Sequence, residues 1–179
     1  MRSLCRGGVG RCVAGLGAAS VACSAPRPQH GPPQASDVVG LADVHPGSVE
    51  ADVLAALERL YDDLSARDWD AFAEHFWPGA TMTTLWQPPG EEAPRVVVSS
   101  VGQFVNQAPA GPGSREIFEE RMIDADVRVH GPLAHVWSRF DARFGDPGEV
   151  IEWQGIDAFT LFRHQGRWKV VSVSYVADP

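Results

Sequence analysis

Cysteine is rare in this chain and absent from most of it. The three cysteines, Cys5, Cys12 and Cys23, all lie in the first 23 of 179 residues. Any domain downstream therefore has no disulfide, no thiol nucleophile and no cysteine-ligated metal. Such a domain must be stabilised by burial of apolar side chains, and the 131 residues from Val49 to the last residue are enough to build a core.

Basic residues are also scarce. From Val49 onward the chain carries 21 acidic and 11 basic residues, a net charge of −10. No patch of lysine and arginine with interleaved aromatic residues occurs, so we do not expect a nucleic-acid partner. Anionic lipid surfaces are disfavoured as partners for the same reason.

Motifs for metals and cofactors are missing from the region after residue 48. Its histidines, His75, His130, His135 and His164, show no HxxxH or HxH spacing on a regular element. There is no glycine-rich phosphate loop after a strand and no GxSxG elbow. We therefore expect no metal site and no cofactor. His75 can act as a base if it faces a pocket, but beside Glu74 it equally fits an exposed helix position.

The first 23 residues have the layout of a secretory signal sequence. Three arginines precede a short apolar run that contains no acid and ends in small residues. The run is too short and too glycine-rich to span a bilayer permanently. Residues 20–23, SVAC, resemble a bacterial lipobox, although Ser20 stands where leucine is usual. A lipid anchor on Cys23, ordinary secretion and retention in the cytoplasm all stay open; with either of the first two, the protein is secreted or held in the periplasm and cell envelope.

Residues 24–48 are rich in proline, glycine, serine and glutamine and poor in large apolar side chains. This composition predicts a flexible tether between the signal and a domain at 49–179.

The domain is predicted to begin with helices. Ser48 can cap a first helix, in which Val49, Val53, Leu57, Leu60 and Leu64 form one apolar stripe. A second helix is predicted from Asp68 to the Pro78-Gly79 pair, and a short third helix from Ser100, capped with Gln103 and closed by Pro109.

Strands are predicted at 80–86, 95–99, 116–129, 133–144, 149–164 and 167–177, which gives the order ααββαββββ. The last two carry the clearest signal, because β-branched and aromatic runs flank a tight turn at His164-Gln165-Gly166. Two helices first and a strand meander last are typical of an α+β domain.

This order, the segment ARDWDAFAEHFWPGAT and the final hairpin WQGIDAFTLFRHQGRWKVVSVSYVA resemble the nuclear transport factor 2-like superfamily, in its SnoaL-like and ketosteroid-isomerase-like branch. The resemblance implies a cystatin-like, cone-shaped roll in which a curved, mostly antiparallel sheet wraps the N-terminal helices and leaves a conical pocket. It also implies that homodimers formed through the sheet are frequent.

Ketosteroid isomerases use a first-strand carboxylate base and an oxyanion hole made of a helix-1 tyrosine and a protonated acid. An ungapped comparison through RDWDAF puts Leu60 at the tyrosine, Thr84 at the base and Asp157 at the acid. Only Asp157 can serve, and Tyr61 is rotated by about 100° from Leu60 along the helix, so it would need a shifted helix. The resemblance therefore does not predict steroid isomerase activity.

Asp157 lies in an apolar strand, where burial raises the pKa of a carboxyl group. Two interpretations stay open. It is either a ligand-binding or acid–base group at the pocket floor, or a structural acid paired with Arg139 or Arg121. The adjacent acids Glu119 and Glu120 are interpreted as solvated charges.

Other pocket residues are proposed from their positions on strands. Trp86 and Tyr175 are expected to form walls of the pocket. The strand at 133–144 offers two faces, one with Val136 and Phe140 and the other with Trp137 and Arg139. The isomerase comparison points the second face into the pocket, a bulge would serve both, and an apolar outer face would form a dimer surface.

Three hypotheses follow. The first is a secreted or lipid-tethered, dimeric module that binds a small hydrophobic molecule without turning it over. The second is an enzyme of the polyketide-cyclase or isomerase type that uses Asp157 with His75 or Tyr61. The third is a scaffold that binds a protein partner through the outer sheet face.

Overall fold

A computed structural model of the chain describes residues 39–87 and 90–179. The predicted signal sequence, Cys23 and most of the predicted tether lie outside the described residues, so secretion and lipid attachment stay predictions. Within the tether range, Val39–Gly40 forms a short strand, β1, which pairs with Val127 and Asp126 of β4 (Ile117–His130). Ordered structure therefore begins upstream of Val49, because the apolar residues around β1 are partly buried against the sheet.

The remaining elements follow the predicted order. They are α1 (Val49–Ala66), α2 (Trp69–Glu74), β2 (Phe76–Trp86), β3 (Arg95–Ser100), α3 (Val101–Gln107), β5 (Leu133–Asp146), β6 (Glu149–His164) and β7 (Arg167–Ala177). Short 3-10 helices lie at Leu41–Asp43, Ala108–Ala110 and Pro112–Ser114. The bounds of β6 and β7 agree with the prediction, and no helix in the described ranges is long and apolar enough to cross a membrane.

Seven strands form one curved sheet in the order β1-β4-β5-β6-β7-β2-β3. Neighbouring strands are antiparallel except β2 and β7, which run parallel. The final hairpin closes through Gln165 and Gly166, both with positive φ, as a two-residue turn requires. The predicted α+β class with a mostly antiparallel sheet is confirmed.

Helix α1 packs its apolar stripe against the sheet. The Ser48 side chain accepts a hydrogen bond from the Ala51 amide at 3.1 Å, so the predicted cap is present. Val53 and Leu57 are completely buried, and burial of each such side chain contributes roughly 1.5–3 kcal/mol. The stripe therefore fixes both the position and the rotation of the helix relative to the strands.

Helix α2 is shorter than predicted. The helix ends at Glu74 and strand β2 begins at Phe76, before the Pro78-Gly79 pair that was expected to end the helix. The reason is pairing with a distant strand: the Val170 amide donates to the His75 carbonyl at 2.9 Å, and Phe76 pairs with Val170. A local stop signal does not contain this information.

Candidate functional site

A cavity of about 520 Å³ lies between the inner face of the sheet and helices α1, α2 and α3. Twenty residues line it, and half of them are aromatic. Apolar surface predominates, as in most small-molecule sites, which range from about 300 to 1,000 Å³. A few polar groups interrupt this lining, and they come from five different elements: Tyr61, Thr84, Glu120, Asp157 and Tyr175.

Tyr61 and Asp157 are hydrogen-bonded to each other at the buried end of the cavity. The Tyr61 hydroxyl donates to Asp157 Oδ2 at 2.5 Å and lies 3.1 Å from Ser138 Oγ. All three residues are at most 5% exposed. The hydrogen bonds connect α1 to β5 and β6, so one polar cluster ties the helix to the floor of the cavity.

The alternation of side chains along the strands and the spacing along α1 explain why these groups face the cavity. Asp157 is flanked on its strand face by Gly155 and Phe159, which are also buried, and Ser138 is its direct partner on β5. On α1, Leu57, Leu60, Tyr61 and Leu64 face the sheet together because they are separated by one helical turn or less. The expectation that Leu60 stands at the oxyanion position is wrong, since Tyr61 reaches Asp157 without any shift of the helix.

Burial raises the pKa of Asp157 to about 7, although the hydrogen bond from Tyr61 acts in the opposite direction. Burial and the neighbouring Asp157 charge raise the pKa of Tyr61, so this hydroxyl remains protonated. The interpretation of Asp157 as a partner of Arg139 or Arg121 is wrong. Arg121 pairs with Asp141 at 2.7 Å and Arg139 with Asp178 at 2.8 Å.

Glu120 is a second carboxyl group in the cavity. It lies on the inner face of β4, one step beyond the buried Phe118, and it is partly buried. Burial, followed by the charge of Asp157, raises the pKa of Glu120 well above its usual value. Interpreting both adjacent acids as solvated charges is correct for Glu119, which pairs with Arg143 outside, and wrong for Glu120.

The backbone of Glu120 is held by helix α1. Ser65 Oγ donates to the Glu120 carbonyl at 2.8 Å and accepts from the Glu120 amide at 2.9 Å. Among the described residues, β1 pairs with β4 at Val127 and Asp126 alone, so Ser65 satisfies backbone groups of β4 that β1 does not reach. These two hydrogen bonds fix the backbone of Glu120 relative to α1, on which Tyr61 lies one helical turn before Ser65.

Thr84, Trp86 and Tyr175 also lie on the cavity, as the sequence predicted. The Thr84 hydroxyl donates to the Tyr175 carbonyl at 2.8 Å across the parallel β2–β7 pair, so it is already engaged. Burial, then the charges of Glu120 and Asp157, raise the pKa of Tyr175. Trp86 is half exposed at the open end of the cavity.

Trp137 and Arg139 do not line the cavity. The inner face of β5 carries Val136, Ser138 and Phe140, and the Trp137 side chain is 58% exposed on the opposite face. The register between β5 and β6 is continuous, so no bulge brings both faces inward. The bulge lies instead on β4, between Met122 and Asp124.

His75 does not face the cavity either. It lies on a separate groove of about 510 Å³ formed by α1, α2 and the start of β7, where its Nε2 lies 2.6 Å from Asp63 Oδ2. The proposal that His75 serves as the base of this pocket is therefore wrong. Among residues 39–87 and 90–179, no cluster of three metal-ligating side chains is found.

Chemically, the cavity combines a hydrogen-bonding pair with a separate carboxyl group. Depending on where the proton lies, Tyr61 and Asp157 can donate to a ligand oxygen or accept from one. Glu120 can carry a charge or a proton beside them. Burial raises the pKa of both carboxyl groups, and the charge of Asp157 raises that of Glu120 further, so the two can act as an acid–base pair.

Two members of this site, Glu120 and Ser138, have little signal in the sequence. Glu120 follows another acid, and such pairs are usually exposed; only the alternation with Phe118 and Met122 indicates its inward direction. Ser138 has no pattern of its own and is recognised only through the β5–β6 register, which pairs it with Asp157.

No protein-family model matches this sequence. A search of the curated proteins finds no relative.

Solved structures, in contrast, share the architecture. A protein of unknown function from Mycobacterium tuberculosis aligns with a TM-score of 0.59 at 15% identity, over 72% of this chain and 70% of that chain. A nuclear transport factor 2-like protein from Cytophaga hutchinsonii gives 0.56 at 13% identity, over 73% and 99%. The CamKII hub homology domain from Chlamydomonas reinhardtii gives 0.57 at 18% identity, over 74% and 99%. The chain thus has the nuclear transport factor 2-like fold that its hairpin and helical pair predicted.

Proposed function

We propose that this domain binds a small, largely apolar molecule in the cavity and holds one polar atom of it at the Tyr61–Asp157 pair. The observation that carries the proposal is the hydrogen-bonded cluster of Tyr61, Asp157 and Ser138 at the buried end of an apolar cavity of about 520 Å³. An apolar lining supplies affinity, and one polar anchor supplies orientation.

The anchor explains why polar groups are retained at this depth. A buried carboxyl group costs free energy unless it is hydrogen-bonded or protonated. Asp157 accepts a hydrogen bond from Tyr61, and its raised pKa favours the protonated form. A ligand carbonyl can accept a hydrogen bond from the protonated pair, whose members are already oriented by Ser138. Such preorganisation lowers the cost of ordering the site on binding.

The test uses 2-tetralone, an apolar bicyclic ketone, and tetralin, the same skeleton without the carbonyl group. We expect the full-length protein to bind 2-tetralone roughly tenfold more tightly than tetralin, because one good hydrogen bond contributes about 1–1.5 kcal/mol. Tyr61→Phe should remove that difference while tetralin binding is kept. Ser174→Ala, on the outer face of β7, is the matched control. Equal binding of both molecules, or of neither, would contradict the proposal.

A second function is favoured by Glu120. With Tyr61 and protonated Asp157 holding a carbonyl oxygen, ionised Glu120 can remove a proton from the adjacent carbon, and the electron pair moves to the oxygen as an enolate. Return of the proton to carbon completes an isomerase-type step. Deuterium exchange into 2-tetralone in D₂O, followed by NMR, then exceeds the buffer rate and falls to it in Glu120→Gln. Exchange at the buffer rate by the wild-type protein would exclude this function and leave binding unaffected.

We also propose that the domain forms a homodimer through its outer sheet face. Large apolar side chains continue across five neighbouring strands of that face, which we name the outer stripe: Leu85, Val96, Val98, Trp137, Ile156 and Val176. Leu85, Val96, Val98 and Trp137 are each more than half exposed. Contiguous exposed apolar patches of this kind mark association surfaces.

A further inference from the structure

We propose that the ligand is a cationic amine: an apolar molecule with one protonated nitrogen, held between Glu120 and the aromatic walls of the cavity. This inference rests on the proposed binding function and narrows it to a class of ligand. Three observations support it independently: the charge of the cavity lining, its aromatic residues, and the lack of a described side chain that donates a hydrogen bond to the Glu120 carboxyl group.

The first support is the balance of charge within the cavity. Its lining contains two carboxyl groups, Glu120 and Asp157, and no lysine, arginine or histidine among the described residues. Arginines are present on nearby strands, but Arg121 and Arg143 point to the outer face and pair with acids there. The described part of the chain thus contributes carboxyl groups and no cations to the cavity.

The second support is that the carboxyl group of Glu120 has no hydrogen-bond donor among the described side chains. Asp157 receives the Tyr61 hydroxyl, whereas no described side chain donates a hydrogen bond to the Glu120 carboxyl group. Only the backbone of Glu120 is held, by Ser65. A carboxylate in an apolar pocket is costly without a counter-charge, and an ammonium group supplies both the charge and the donors.

The third support is the aromatic lining. Ten of the twenty lining residues are aromatic, and the rings of Phe118, Trp153 and Tyr175 come from three different strands. The face of an aromatic ring attracts a cation, and several rings with a carboxyl group form the usual site for amines and quaternary ammonium groups. A neutral ligand would use the rings only as apolar surface.

Proton linkage predicts how the affinity for an amine changes with pH. The groups that line the cavity with Glu120 are Tyr61 from α1, Asp157 from β6 and Tyr175 from β7. Burial and the Asp157 charge raise the pKa of Glu120, so at a given pH it holds a proton more often than an exposed glutamate does. An ammonium group lowers that pKa and expels the proton. Amine affinity therefore rises as pH increases toward the raised pKa of Glu120, and the affinity for a neutral ligand does not.

The experiment compares 2-aminotetralin, which is cationic at neutral pH, with 2-tetralol, a neutral molecule of the same skeleton. Both are titrated calorimetrically into the full-length protein at pH 6 and pH 7.5, in two buffers of different ionisation enthalpy. We expect the amine to bind at least about tenfold more tightly at pH 7.5, consistent with a charge-assisted contact. Its observed enthalpy should change with the buffer, because a proton is released.

Variants assign the effect to Glu120. Glu120→Gln should reduce amine affinity about tenfold or more and change tetralol affinity less than twofold. Glu119→Gln, its neighbour on the outer face, is the matched control and should change neither. Circular dichroism melting verifies that each variant is folded, and the wild-type comparison decides the question even if Glu120→Gln does not fold.

The outcomes separate the two proposals. Tetralol and amine binding of equal strength, without proton release, would overturn the amine inference and leave the binding function standing. A Glu120→Gln variant that weakens both molecules equally would overturn it too. If neither these molecules nor 2-tetralone bind to the wild-type protein, the binding function fails and the inference fails with it.

Discussion

Asp157 shows how one buried carboxyl group links stability to the site. Burial raises its folded-state pKa to about 7, whereas an aspartate in an unfolded chain titrates near 3.9. Between these two values the folded protein binds more protons than the unfolded chain. The free energy of unfolding therefore falls as pH rises from about 4 to about 7, the opposite direction to that of a salt-bridged aspartate.

Asp157→Asn should remove much of this dependence. The amide oxygen can still accept from Tyr61, so the cluster is kept while its titration is lost. Between pH 5 and pH 7.5 we expect the wild-type protein to lose on the order of 2 kcal/mol more stability than the variant, measured by urea denaturation. Asp141→Asn is the control, because Arg121 holds the pKa of that outer acid below its usual value. A variant with the full wild-type slope would show that Asp157 does not titrate in this range.

At this scale the sequence identified Asp157 and Thr84 as pocket residues through the isomerase comparison, and Trp86 and Tyr175 through their positions near strand ends. It named Tyr61 as a pocket residue but required a shifted helix for it, since a single residue of misalignment on a helix changes direction by about 100°. An ungapped comparison cannot resolve that step. The rotation of α1 is set by packing of its whole apolar stripe against the sheet, which is a tertiary property.

At the scale of elements, Gly155 on β6 leaves space for the ring of Phe140 on the neighbouring strand β5. Gly155 pairs directly with Phe140. A Cβ atom added at this glycine would lie 2.5 Å from Phe140 Cζ, and closer still to the Val176 carbonyl oxygen. The backbone there is extended, so the requirement is for space and not for an unusual φ. The Phe140 ring occupies the volume that any other residue would need.

Gly155→Ala should therefore destabilise the fold by about 3 kcal/mol, near the upper range for overpacking, because the close atoms include backbone that cannot move freely. Thermal denaturation would measure this as a lower Tm. Gly102→Ala on α3 is the matched control, since its Cβ atom would meet only Ser100 Oγ at 4.0 Å. If both substitutions have equal, small effects, the close approach at Gly155 is not a constraint on the sheet.

Elements with local signals were predicted well and those set by distant contacts were not. The final hairpin combines alternating β-branched residues with a Gln165-Gly166 turn, and both features are local. The capping box at Ser100 and Gln103 is confirmed for the same reason. The end of α2 and the start of β2 depend on pairing with β7, almost a hundred residues later, and no stop signal near Pro78 records it.

At the scale of the whole molecule, the two faces of the sheet present different kinds of side chains. The inner face lines the cavity with aromatic rings and two carboxyl groups, and the outer face presents the outer stripe. Trp137 and Val136 are adjacent in sequence and therefore lie on opposite faces. The error in assigning Trp137 to the cavity came from the isomerase comparison. The alternation of Val136 and Phe140 with Arg139 and Asp141 already indicates which face is inner.

The outer stripe predicts a dimer that depends on Trp137. In sedimentation equilibrium the full-length protein should have twice the chain mass, and Trp137→Lys should weaken association by about thirtyfold, the effect of losing a central tryptophan. Ile151→Lys is the matched control, because Ile151 is 62% exposed but lies on the same side of β6 as Asp157, by alternation. The domain is acidic, so added salt should strengthen the dimer by screening repulsion between subunits. A monomeric wild-type protein would contradict the dimer, and equal dissociation in both variants would show that the dimer does not form through the outer stripe.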